Sequence, residues 1–301
     1  MVERPPLTRN GRKPTREQLI ARRALAIGAL LLVIGVIAWG AFALFGTGSG
    51  TGGTTAAVLP PPPKPLRIVF PEGFTRRDMA ARITAVDKIA KRKRGVTPKL
   101  SARAYLAATQ RPRRIEGFGA KHYPLEGFLF PATYDFLPAT TSKQLAGKQL
   151  TAFDRNWGQL DLSYAKSKNL TPYDVLIIAS MVERETLAPD ERRLVAAVIY
   201  NRLHAGMPLG IDATIRYALN VPGTQSLRES QLQNPTPYNT RLHVGLPPTP
   251  IGNPGLASMQ AAAHPAKVDY LYFVRKPDKV HHFFTDNEQE FNNYKLAHGY
   301  G

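Results

Sequence analysis

The sequence predicts an α+β domain carried outside the cell on a single transmembrane helix. Three observations predict it: Ala24 to Phe45 is a run of 22 residues without a charge, a Gly/Pro-rich stretch follows it, and beyond residue 66 short alternating runs are interspersed with longer capped helical ones. The chain has 301 residues, 43% of them hydrophobic and 21% charged. That balance belongs to a chain that buries a core, and it excludes wholesale disorder.

As a helix the uncharged run is about 33 Å long at ~1.5 Å per residue, enough to cross a bilayer. Arg4, Arg9, Arg12, Lys13, Arg16, Arg22 and Arg23 precede it against only Glu3 and Glu17, and the first charge after it is Lys64. Cation bias of this kind makes residues 1–23 a cytoplasmic basic tail, 24–45 a single-pass anchor in the plasma membrane, and everything beyond extracytoplasmic. A cleaved signal peptide has an apolar core of only ~7–15 residues, and no convincing small-residue cleavage site follows. Residues 46–65 are a linker in two halves, flexible in Gly46–Gly53 and stiff in the proline run Pro60–Pro65.

Lys and Arg number 40 against 22 Asp and Glu, for a formal charge of +18, and 33 of the basic and 20 of the acidic residues lie after residue 45. An excess of this size selects anionic partners, among them nucleic acid, lipid headgroups and anionic polymers. The exported position, with no zinc-finger spacing, RNA-recognition motif or aromatic platform among the basic residues, argues against nucleic acid. There is no cysteine, which excludes disulfides, thiolate catalysis and Cys-ligated metal. His281 and His282 lack the H-E-x-x-H spacing or an equivalent partner, so neither metal nor cofactor is expected.

The exported part divides into a small module over 66–118 and a larger domain over 119–301. Leu66–Phe70 alternates as a short strand, Pro71-Glu72-Gly73 is a turn, and Thr75 with Asp78 caps a helix carrying Met79, Ile83 and Ile89. A second helical run lies around Leu100–Ala108, and Leu125–Pro131 reads as a strand closed by proline. Thr171-Pro172-Tyr173-Asp174 opens a helix that is apolar nearly all round as far as Glu183-Arg184-Glu185 and therefore central and buried. A further helix runs from Pro189 to His204.

Two carboxyls close the buried helix. At ~100° per residue Glu183 and Glu185 diverge by ~200°, so they do not face one cleft as an acid/base pair. Glu183 shares its face with Leu176, Ala179, Ser180 and Leu187, and the small pair Ala179 and Ser180 leaves space beside its carboxyl. A glutamate on a helix is more often a surface residue than a catalytic one.

Ala179-Ser-Met-Val-Glu-Arg-Glu-Thr186, Val198-Ile-Tyr-Asn-Arg-Leu203, Gly206-Met-Pro-Leu209, Tyr238-Asn-Thr240, Gly245-Leu-Pro-Pro248, Ala261-Ala-Ala-His-Pro-Ala-Lys267 and Tyr270-Leu-Tyr-Phe-Val274 occur in this order. Together they resemble the endolytic murein transglycosylases, the MltG or YceG-like family. The likeness covers roughly residues 66 to 301. It implies a LysM-like small module, a YceG-like catalytic domain of mixed α+β type, and an enzyme that cuts peptidoglycan glycan strands internally between N-acetylmuramic acid and N-acetylglucosamine. It further implies termination of nascent strands and work beside peptidoglycan synthases.

The same resemblance assigns the chemistry to one glutamate, matched here by Glu183, with the muramic acid's own 6-hydroxyl as nucleophile and a 1,6-anhydro end as product. Such an acid must hold its proton near neutral pH, so Arg184 and Arg202 are expected to point away from it. Asn201, Asp212, Thr214, Tyr238, Asn239 and Thr240 are candidate glycan contacts, although Asn, Asp and Thr also cap helices and close turns. The chain departs from the family at Asp212-Ala213-Thr214, Pro131-Ala132-Thr133-Tyr134 and Phe291-Asn292, which puts secondary substrate contacts in doubt and leaves Glu183 untouched. The alternative reading is a catalytically silent, membrane-anchored wall-binding scaffold; the intact block around Glu183 argues against it.

Overall fold

The computed structural model describes residues 64–300. The expected basic tail, membrane span and most of the linker lie outside the described residues. Among those described, no helix is long and apolar enough to cross a membrane.

Leu66–Val69 (β1) buries Leu66 and Ile68 and exposes Arg67 and Val69, the alternation the sequence predicts. The turn after it leads into Arg76–Arg94 (α1), where the Asp78 N–H bonds Thr75 Oγ1 at 3.1 Å and the Thr75 N–H bonds Asp78 Oδ2 at 2.9 Å. Four basic residues, Lys91 to Arg94, fill its last turn, where the helix dipole favours them, and Gly95 ends it at φ +63°. Ala102–Gln110 (α2) follows, capped by Ser101. The short strands Arg113–Arg114 (β2) and His122–Tyr123 (β3) pair antiparallel.

Thr133–Phe136 (β4) is the antiparallel partner of β1, with Leu66 opposite Phe136 and Val69 opposite Thr133. The first sheet therefore closes only with a strand from beyond residue 118, and the described chain belongs to one compact unit, 62–301. Leu125–Pro131 is a tight loop and not the strand its apolar run suggested. Leu125, Phe128 and Leu129 are all buried, and the Phe128 N–H turns back to the Leu125 carbonyl at 3.2 Å. Gly127 sits at φ +91°, and a Cβ there would lie 2.6 Å from Cγ of Pro250. A short apolar run cannot by itself distinguish a strand from a buried turn.

The rest is mainly helical: Ser142–Trp157 (α3), Ser163–Ser167 (α4), Pro172–Glu185 (α5), a 3-10 turn at Pro189–Glu191, Arg192–His204 (α6), Asp212–Leu219 (α7), Glu229–Leu232 (α8) and Leu256–Ala263 (α9). Tyr272–Arg275 (β5) and His282–Thr285 (β6) form an antiparallel hairpin, and Glu288–Ala297 (α10) follows. Helix α5 is the axis of the core: every residue from Val175 to Val182 is buried. The small residues Ala261, Ala262 and Ala263 of α9 are buried as well, and α9 packs closely along α5. Phe118 stacks edge-on to Phe128 at 4.9 Å, and Phe128 meets Phe153 at 5.1 Å, so aromatic packing joins the N-terminal segment to α3. Glu191 pins the C-terminal hairpin, accepting hydrogen bonds from the His282 backbone at 2.9 Å and from its Nδ1 at 2.7 Å.

Candidate active site

Helix α5 starts as the sequence predicts. Thr171 Oγ1 accepts the Asp174 N–H at 3.2 Å, the Asp174 carboxylate accepts the Thr171 N–H at 2.8 Å, and Pro172 occupies the first turn. Near its other end Ser180, fully buried, donates to the Ile177 carbonyl at 2.7 Å and accepts the Ile251 N–H at 3.0 Å. This fixes the loop 250–255 against α5. The loop delivers Gly255 to the start of α9, and its N–H donates to Oε2 of Glu183 at 3.0 Å. Glu183 is half-buried, and its Oε1 has no hydrogen-bond partner among the described residues.

The turn 71–74 forms the facing wall. Gly73 donates to the Asn253 carbonyl at 2.9 Å, and Asn253 returns its own N–H to the Phe74 carbonyl at 3.0 Å. The Asn253 side chain extends the stitching: Nδ2 donates to the Phe74 carbonyl at 2.8 Å and to Glu126 at 2.9 Å, while Oδ1 accepts the Leu129 N–H at 2.9 Å. Glycine is required by close approach. A Cβ on Gly252 would lie 2.7 Å from the Gly73 oxygen, and one on Gly255 would collide with the carboxyl of Glu72. Gly73, at φ +75°, has Cγ of Glu183 3.4 Å from where its Cβ would stand.

A second carboxyl thus lies beside Glu183. Glu72 is exposed as a residue, yet its carboxyl rests against Gly255; burial of that group first, and the negative charge of Glu183 second, push it above the usual carboxylate range, against the pull of Arg192. Deeper, Glu126 is 4% exposed and accepts from the Arg76 N–H at 3.0 Å, Asn253 Nδ2 at 2.9 Å and the Tyr217 hydroxyl at 3.2 Å. Burial pushes it up to about 7, opposed by the hydrogen bond from Arg76 at the N-terminus of α1. Sequence reading missed both groups, Glu72 because it sat in an ordinary turn and Glu126 because it was placed on a strand.

Glu185 diverges from Glu183, as helical spacing requires. It lines a separate cavity with Asp212 and Arg275; burial and then the charge of Asp212 push its carboxyl up, while Arg275 pulls it down. Arg202 is turned to backbone carbonyls, reaching Leu271 at 2.6 Å and Leu209 at 2.8 Å. Arg184, against expectation, does not turn away: it runs alongside the Glu183 site and donates from Nη1 to the Gly73 carbonyl at 3.3 Å. Among the described residues neither guanidinium forms an ion pair with Glu183.

Thr214 and Asn239 are 0% exposed and Thr240 2%, with their polar atoms turned inward. Thr214 donates to the Ile211 carbonyl at 2.6 Å and bonds Thr240 Oγ1 at 3.1 Å, while Thr240 accepts the Ile211 N–H at 3.0 Å. Asn239 Nδ2 donates to the carbonyls of Leu232 and Asn234, each at 2.8 Å. Asn201 donates to the carbonyls of Val268 and Tyr270, each at 2.9 Å, and lines another cavity with Tyr164 and His204. Asp212 pairs with Arg241 at 2.7 Å. Tyr238, half-buried, bonds Thr249 through its hydroxyl at 2.8 Å and packs its ring 5.3 Å from that of Tyr217.

An endolytic murein transglycosylase of Streptococcus pneumoniae strain R6 is 33% identical over 260 residues, covering 79% of this chain and 46% of that protein. One of Bacillus subtilis strain 168 is 38% identical over 173 residues, covering 58% of this chain and 48% of that protein. The chain therefore spans about half the length of the curated relatives it matches. A crystal structure of a YceG-like protein from Listeria monocytogenes superposes with a TM-score of 0.64 at 31% identity, covering 77% of this chain and 76% of that one. The sequence model of the YceG-like family matches residues 48–296, and on that extent the chain belongs to the YceG-like family.

Proposed function

We propose that the chain is an endolytic lytic transglycosylase that cuts peptidoglycan strands between N-acetylmuramic acid and N-acetylglucosamine, with Glu183 as its acid and base in turn. Glu183 gives its proton to the glycosidic oxygen as the bond to C1 of the muramic acid breaks. The muramic 6-hydroxyl then bonds to C1 and returns its proton to Glu183. No water is consumed, and the product carries a 1,6-anhydro end. The observation that carries this reading is Glu183 itself: Oε2 is held by the Gly255 N–H while Oε1 has no partner, so the carboxyl is oriented and still has one oxygen for proton transfer. The names of the relatives support the same chemistry.

The proximity of Glu72 favours a second reading, a hydrolase in which one carboxyl protonates the leaving oxygen and the other activates water. Digestion of purified glycan strands, followed by mass spectrometry, separates the two. Anhydro ends that disappear with Glu183→Gln support the transglycosylase, reducing ends support the hydrolase, and absence of fragments supports a silent wall-binding scaffold.

In the same reading residues 1–45 anchor the protein in the plasma membrane with its tail in the cytoplasm, and 66–118, closed by β4, serves as a LysM-like wall-facing module. Asp212 and Tyr238, whose side chains are half-buried, remain candidate glycan contacts. Cutting close to the membrane would end strands still being made by neighbouring synthases.

A further inference from the structure

Beside the Glu183 site lies a cavity of about 680 Å³ whose lining is dominated by cations: Arg184, Arg202, Arg216, Arg241, Arg275 and Lys295. Only Glu185 and Asp212 oppose them there, and Asp212 is already paired with Arg241 at 2.7 Å. Arg184, Arg202 and Arg216 are fixed by backbone carbonyls, which hold the guanidinium groups in place without neutralising them. Arg275 and Lys295 make no ion pair among the described residues. Burial, and then the charge of Asp212, push the Glu185 carboxyl above the ordinary carboxylate range, against the pull of Arg275.

Such a cavity is built for an anion. Its volume suits a small ligand or one end of a larger one, and planar guanidinium groups match carboxylates through paired hydrogen bonds. Its lining includes Arg184 and Glu185, the residues that follow Glu183 on α5, and Arg184 also reaches the Gly73 carbonyl at the wall of the Glu183 site. An anion bound here would belong to the same substrate that Glu183 acts on.

We propose that this cavity binds a carboxylate of the peptide stem carried by the muramic acid, so that the protein selects strands whose stems keep free carboxylates. The proposal rests on the peptidoglycan reading. N-acetylated sugars linked to peptide stems carry no charge of their own, and the carboxylates of the strand lie on the stems.

The test uses the full chain in detergent with two forms of the same uncrosslinked peptide-bearing strands, one with the stem carboxylates free and one with them converted to neutral amides. The double variant Arg275→Gln/Lys295→Gln removes two cations that make no ion pair among the described residues. Its KM for strands with free stem carboxylates is expected to rise about tenfold or more, with kcat and the cleavage of amidated strands unchanged. Equal loss on both substrates, or no loss on either, overturns the proposal. Calorimetry with a soluble muramyl peptide and its fully amidated form is independent of turnover. If the chain cuts neither strand, preferential binding of the acid form, weakened in the double variant, still sustains the carboxylate site, whereas equal binding of both forms refutes it. Inorganic phosphate displacing the muramyl peptide at comparable concentration would assign the cavity to a phosphate polymer and also refute it.

Discussion

Gly255 holds Glu183: the N–H at the first turn of α9 donates to Oε2 at 3.0 Å, across a gap that only a residue without a side chain leaves open to the carboxyl of Glu72. Two acids and one backbone donor therefore share a space the size of a few atoms.

The first prediction concerns the pH dependence of that pair. Glu72 is raised first by burial and then by the charge of Glu183. Removing that charge makes the Glu72 carboxyl easier to ionise. In Glu183→Gln the Glu72 carboxyl should therefore titrate at lower pH than in the unaltered protein, and an NMR titration of Glu72 that coincides in the two would show that the carboxyls do not communicate.

Gly255→Ala places a methyl group where the Glu72 carboxyl lies. Overpacking of this kind costs about 1–3 kcal/mol. Urea denaturation should show that loss in Gly255→Ala and its partial recovery in Glu72→Ala/Gly255→Ala, with a coupling of about 0.5–3 kcal/mol as expected for touching residues. Simple additivity would mean the two groups do not meet.

Glu126 makes stability depend on pH. Its proton affinity in the folded chain, about 7, exceeds that of an unfolded glutamate, so the folded state binds the proton more tightly. The stabilisation is full below about pH 4 and is lost as pH rises through 7, an effect on the order of 3 kcal/mol. Glu126→Gln cannot ionise, and the decline in Tm between pH 5 and 8 should flatten in that variant.

Thr214 separates a structural role from a substrate contact. It is fully buried and bonded to Ile211 and Thr240. Replacing it with valine should lower stability by about 1–3 kcal/mol, the cost of leaving buried partners unsatisfied, while KM for glycan strands stays the same. A raised KM at unchanged stability would place Thr214 on the substrate.

Local signals in the sequence carried much of this architecture. Thr75 with Asp78 and Thr171 with Asp174 marked two helix starts, because a cap is written within four residues. The unbroken apolar run of α5 marked the core, and the ~200° between Glu183 and Glu185 sent them to different partners. What the sequence did not disclose depends on contacts between distant segments. Glu72 meets Gly255, and Gly73 meets Asn253, only after folding. Leu125–Pro131 misled because burial on both sides of a short run erases the period that tells strand from turn. Thr214, Asn239 and Thr240 have residue types common to ligand contacts and to loop closure, and only their burial reveals their bonds to the backbone.

The reciprocal bonds between Gly73 or Phe74 and Asn253 have a practical side. Any fragment begun at residue 119 to isolate the acid would discard the peptide turn that walls it, together with Glu72. It would keep Glu183 in a half-made niche, and silence from such a truncated protein would testify to the missing wall, not to the chemistry of the acid.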